Sequence, residues 1–101
     1  MTKLYEYLGI LLYFYSNEHE PIHVHAKKAE FESKAEFYII DGVVSEIIIT
    51  EVRGKKPLNG SELNDFKLFL EHYSTQIVEK WVDYFVYHKK IAFEKITTKL
   101  K

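Results

Sequence analysis

An α+β fold, with a small antiparallel sheet packed on one long helix, is what this sequence predicts, and three observations point to it. The first half of the chain is a series of short runs rich in β-branched and aromatic residues; Asp41-Gly42 sits between two of them; and the second half carries one apolar stripe with residues three and four apart. A chain of 101 residues can bury a real core but has no room for a second one, so residues 1–101 read as a single domain. Nearly half of the residues are hydrophobic (47%) and 16% are aromatic, which argues against a disordered chain.

The first predicted strand covers residues 7–16, through Gly9-Ile10-Leu11-Leu12-Tyr13-Phe14-Tyr15, and ends in the turn-like Ser16-Asn17-Glu18-His19-Glu20-Pro21, where the proline interrupts pairing. A second strand covers 22–28. Side chains alternate along a strand, so His23, His25 and Lys27 share one face and Val24 and Ala26 the other, and the imidazoles are expected toward solvent or a cleft. Strands 33–40 and 43–52 flank Asp41-Gly42, a pair that tolerates the positive φ values of a tight hairpin. A two-residue turn sets Ile40 opposite Val43, Tyr38 opposite Ser45 and Glu36 opposite Ile47. The run Ile47-Ile48-Ile49 makes both faces apolar, so either a helix covers one side and a partner the other, or the sheet twists enough to hide both.

A polar loop then leads to a helix over 60–87. Asn59 is placed to cap it, Glu62 to complete a capping box, and Leu58 to pack on Leu63 as a staple. Leu63, Phe66, Leu70, Tyr73, Ile77, Trp81, Tyr84 and His88 form the stripe that faces the sheet, and His88, Lys89 and Lys90 fall where cations favour the negative end of the helix dipole. His72 lies nine residues before Trp81, about half a turn past a whole number of turns, and so points away from the sheet on a straight helix. The tail from Ile91 to Leu100 is a strand or a coil.

With 14 basic and 15 acidic residues there is no global field to draw in nucleic acid or an anionic membrane. The charges are uneven: from Ser16 to Glu51 eight acidic residues face three lysines, and from Val86 onward five lysines face Glu94 alone. Without cysteine there is neither a disulfide nor a thiolate metal site, which suits a reducing cytoplasm. The longest apolar run, Tyr7 to Tyr15, is too short for a membrane helix.

The histidines are the most distinctive feature. His23 and His25 point the same way at a separation that one divalent transition metal can span, and His19, Glu18 or Glu20 can supply a third ligand across the turn. An acid-base reading uses the same groups: one histidine takes the proton of an RNA 2′-hydroxyl, another protonates the leaving oxygen, and Lys27 steadies the phosphate. A third reading gives the histidines to the shape of the turn or to a partner contact. All three remain open at this point.

The stretch Asn17-Glu18-His19-Glu20-Pro21-Ile22-His23-Val24-His25, preceded by Gly9 and a hydrophobic strand, resembles the signature of the small bacterial family known as domain of unknown function 4160, which reads acidic, His, any, Pro, Pro, His, any, His. His72, Trp81 and Ile96 continue the resemblance, with Ile22 in place of the second proline and a more extended loop from Arg53 to Asn59. The family carries no established activity. Its genes often stand beside that of another small protein, in arrangements resembling toxin-antitoxin pairs. The resemblance therefore implies a cytoplasmic binding or regulatory module, as a homodimer or with a neighbour-encoded protein, whose working surface is the turn of His19, His23 and His25 with Glu20, Pro21 and His72 as supporting groups. The competing class is a small histidine-based nuclease, with or without metal.

Overall fold

A computed structural model describes residues 1–15 and 21–101. The chain runs through β1 (Thr2–Tyr7), β2 (Ile10–Phe14), β3 (Ile22–Lys28), β4 (Phe31–Ile40), β5 (Val43–Glu51), α1 (Gly60–Phe85) and β6 (Glu94–Ile96). Among the described residues the α+β expectation and the single long helix hold, and the sheet has six strands rather than about four, in the order β5-β4-β3-β2-β1-β6. Neighbours from β1 to β5 are antiparallel, and β6 adds parallel to β1.

The expected strand over 7–16 is in fact the end of one strand and the whole of the next. Leu8 (φ 49) and Gly9 (φ 83) form a tight turn with Tyr7 opposite Ile10. Both turn residues take positive φ, the geometry that matches the twist of a hairpin. Gly9 is doubly constrained, because a Cβ there would stand 3.1 Å from Cε of Lys28, whose Nζ donates to the Leu8 carbonyl at 3.2 Å. The β3–β4 turn likewise uses a non-glycine residue, Ala29, at φ 55.

The Asp41-Gly42 hairpin forms with Ile40 opposite Val43 as expected. Beyond it a bulge shifts the register between Tyr38 and Ile39, so that Tyr38 faces Glu46 and Glu36 faces Ile48, each one residue beyond the partner that a regular ladder requires. The Ser45 hydroxyl donates to the Tyr38 carbonyl at 3.0 Å within this bulge. The shift turns Ile47 and Ile49, opposite Phe37 and Ala35, to the helix face and leaves Ile48 on the other.

The core lies between the sheet and α1. Leu12, Phe14, Val24, Ala26, Ala35 and Phe37 from the sheet pack with Phe66, Phe69, Leu70, Ile77 and Trp81 from the helix. The predicted stripe is therefore largely the buried face, with Phe69 added: its ring stacks on Tyr73 at 4.4 Å and meets Tyr5 edge-on at 5.1 Å. Asn59 occupies the N-cap position, yet its side chain makes no capping hydrogen bond, so the capping box is not formed; the chain enters the helix through Gly60 at φ 56. The helix ends at Phe85, so His88, Lys89 and Lys90 lie past its last turn, and His88 takes φ 55.

The loop after β5 is tied to β4: Glu32 N donates to Lys56 O at 2.8 Å, and the buried Ser33 hydroxyl accepts from Leu58 N at 3.0 Å. The tail is held on the far side, where Lys80 lies 3.5 Å from Glu94 and over the Tyr5 ring, and Leu100 N donates to the Tyr7 hydroxyl at 3.0 Å. Among the described residues no helix is long and apolar enough to cross a membrane.

Candidate functional site

Strand pairing puts opposed residues on one face, so the register across the sheet assembles the site. Tyr13 of β2 pairs with His25 of β3, His25 with Lys34 of β4, His23 with Glu36, and Lys27 with Glu32. Val24 and Ala26 belong to the helix-side core, which leaves these groups on the opposite face of the sheet. The sharing of one face by His23, His25 and Lys27 is thus as the alternation predicts.

Their exposure is not. His23 is 9% and His25 6% exposed, and Glu32 beside them is 4% exposed. Of the two alternatives expected, solvent or a cleft, open solvent fails, because aromatic neighbours close over the imidazoles of this inner strand. The His25 ring stacks on Tyr13 (5.5 Å between centroids, 24° between planes), meets Tyr15 edge-on at 4.6 Å, and lies 5.2 Å from the ring of His23. Lys27 completes the group with Nζ 5.4 Å from the Tyr13 ring centre.

Each histidine has a defined neighbour. His23 Nδ1 lies 2.8 Å from the Pro21 carbonyl; since a carbonyl only accepts, Nδ1 carries the proton and ties Pro21 to the strand. His25 Nδ1 lies 3.3 Å from Oε2 of Glu32, an ion-pair distance between two nearly closed side chains. The same Oε2 accepts from the Tyr15 hydroxyl at 3.4 Å, and the Tyr15 and Tyr13 hydroxyls are 3.3 Å apart. Burial, followed by hydrogen bonds to Tyr15 and Glu32, pushes the Tyr13 phenol well above its ordinary pKa, so it stays neutral. The arrangement is a carboxylate set behind an imidazole, braced by two phenols.

The remaining predicted residues fall elsewhere. His72 is exposed on the helix, and its Nε2 donates to the Lys101 carbonyl at 2.8 Å. The helix is unbroken from Gly60 to Phe85, so His72 stays on the far side of the sheet from His23 and His25. His19 and Glu20, with Glu18, lie outside the described residues. Among the described residues no group of three or more His, Cys, Asp or Glu side chains is placed to hold a metal ion.

Glu32 is the participant that sequence reasoning missed. The signal was present: with a two-residue turn at Ala29-Glu30, Phe31 pairs with Lys28 and Glu32 with Lys27, which puts the carboxylate on the histidine face.

Neither the curated proteins nor the solved structures contain a match to this chain. A family model does match, described as a domain of unknown function (DUF4160), over residues 9–82. That span begins at the glycine of the first turn, takes in the histidine face and Glu32, and ends just past Trp81, and on this match the chain belongs to the DUF4160 family.

Proposed function

We propose that the chain is a binding module for a small partner protein, contacted at the rim where Pro21 and Ile22 meet the β4–β5 hairpin. One observation carries this reading: Tyr38, Ile39, Ile40 and Val43 are exposed together on that hairpin, and Tyr38 and Ile39 join Pro21, Ile22 and Phe37 around a depression of about 520 Å³. Single exposed apolar residues are ordinary on a protein surface, whereas a contiguous group marks a contact region. The histidines support the reading by holding the rim, since His23 fastens the Pro21 carbonyl and His25 is packed between tyrosines. In a toxin-antitoxin-like arrangement in the cytoplasm, the partner is the product of the neighbouring gene.

Co-expression with that product tests the proposal. Ile40→Asp with Val43→Asp, and separately His23→Ala with His25→Ala, are expected to abolish co-purification while RNA stays intact throughout. Undiminished co-purification of both variants would sink it.

The His25–Glu32 contact favours a second reading, acid-base cleavage of RNA. A buried carboxylate 3.3 Å from an imidazole nitrogen offsets the charge that the ring gains on taking a proton, and Lys27 on the same face is placed to meet a phosphate. That reading expects purified protein to cleave RNA in the presence of chelator and His25→Ala to abolish the cleavage; intact RNA with the wild-type protein rejects it.

A further inference from the structure

The two edges of the sheet are built differently. At one, β6 is three residues long and two of them, Glu94 and Lys95, are charged. At the other, β5 runs nine residues from Val43 to Glu51, with two carboxylates, Glu46 and Glu51, but without the lysine or proline that most often guards an open edge. Among the described residues no strand pairs with its outer side. The helix lies over β2 and β3, leaving beside β5 an apolar groove lined by Ile47, Ile49, Leu63 and Leu70 and rimmed by Lys67 and Glu71. On the opposite face Ile48 is 38% exposed.

We infer that β5 pairs antiparallel with β5 of a second copy of this chain, across a twofold axis through Ile48, joining two six-stranded sheets into one. A twofold axis perpendicular to the sheet keeps every side chain on its own face, so the register is set by which residue sits on the axis. With Ile48 there, it meets the partner's Ile48, Ile47 meets the partner's Ile49, and Glu46 meets the partner's Thr50, a hydroxyl that can donate to it. An axis through Glu46 opposes two like charges. An axis through Ile47 sets Glu46 against the partner's Ile48, and one through Ile49 sets Glu51 against the partner's Ile47, each a carboxylate against an apolar group. Of these registers only the one centred on Ile48 pairs the three isoleucines with one another. It also brings the two apolar grooves together on the helix side.

The chain has no cysteine, so single cysteines report the register directly. Residues directly opposite in an antiparallel pair have Cα atoms about 4.5–5.5 Å apart, within disulfide reach, whereas Thr50 and the partner's Thr50 would be four residues out of step, roughly 14 Å. Under mild oxidation Ile48→Cys is expected to become a covalent dimer and Thr50→Cys to stay single. By light scattering the wild type should weigh twice the 12.0 kDa of one chain, Ile48→Lys and Ile48→Glu should each halve that mass with an unchanged circular dichroism spectrum, and mixing the two variants should restore it. A wild type that stays at 12.0 kDa at all concentrations, an Ile48→Lys variant that remains dimeric, or Thr50→Cys cross-linking as readily as Ile48→Cys would each overturn the inference.

Discussion

Oε2 of Glu32 lies 3.3 Å from Nδ1 of His25 across two adjacent strands, with both side chains almost closed to solvent. Removing the Glu32 carboxylate takes a buried acceptor away from the His25 ring and from the Tyr15 hydroxyl at once. Glu32→Ala is expected to destabilise the fold by about 1–3 kcal/mol, and Glu32→Gln, which keeps an oxygen beside the ring, by less. Urea denaturation compares them; equal losses would show that charge plays no part.

Two buried phenols make the fold sensitive to alkali. Burial raises the Tyr5 pKa, helped by the Glu94 charge, and burial with hydrogen bonding raises that of Tyr13, both from an ordinary value of 10.0. Above that value the unfolded chain releases protons that the native chain keeps, so the stabilising effect is complete below pH 10 and is lost as pH rises beyond it. Each phenol should contribute a fall of about 1.4 kcal/mol per pH unit in that range. Tyr5→Phe, whose hydroxyl is the simpler one to remove, should flatten the dependence of the urea midpoint on alkaline pH.

Ala29 occupies an exposed turn at φ 55. An L side chain in that region costs roughly 1–2 kcal/mol, and glycine adds back roughly 0.5–1 kcal/mol of chain entropy. Ala29→Gly is therefore expected to stabilise by about 0.5–1 kcal/mol. A thermal melt should show Tm rising by a few degrees, and a fall in Tm would contradict the strain argument.

His72 offers the contrast. It is exposed and holds a single backbone carbonyl of the tail, so His72→Ala should change stability by less than about 0.5 kcal/mol. It should also leave partner binding and any RNA cleavage unaltered, which distinguishes it from His23 and His25 in the same assays.

Local chemistry made some elements readable. Asp41-Gly42 has the residues that its turn demands, and the stripe from Phe66 to Trp81 repeats at helical spacing because it faces one sheet. The first hairpin was hidden because Leu8 is no usual turn residue and the apolar run passes through it unbroken; its φ of 49 is imposed by the pairing on either side. The Ser45 bulge was equally silent: an extra residue shifts the phase of alternation by one, and with Ile47-Ile48-Ile49 apolar at every position either phase reads the same. In the site, alternation put His23, His25 and Lys27 on one face, but burial depends on neighbours far along the chain, and the position of β3 between β2 and β4 emerges only once the whole meander is assembled.

The parallel pairing of β6 with β1 brings together segments from opposite ends of the sequence, with Tyr5 against Glu94 and Tyr7 against Ile96. While the chain is being synthesised, β1 to β5 can form their successive hairpins as they emerge, but the outer side of β1 stays open until residues 94–96 have been made. The nascent protein thus passes through a stage with two open borders, and the three-residue strand that closes one of them acts as a late seal whose arrival decides how long a growing chain is exposed to its neighbours on the same message.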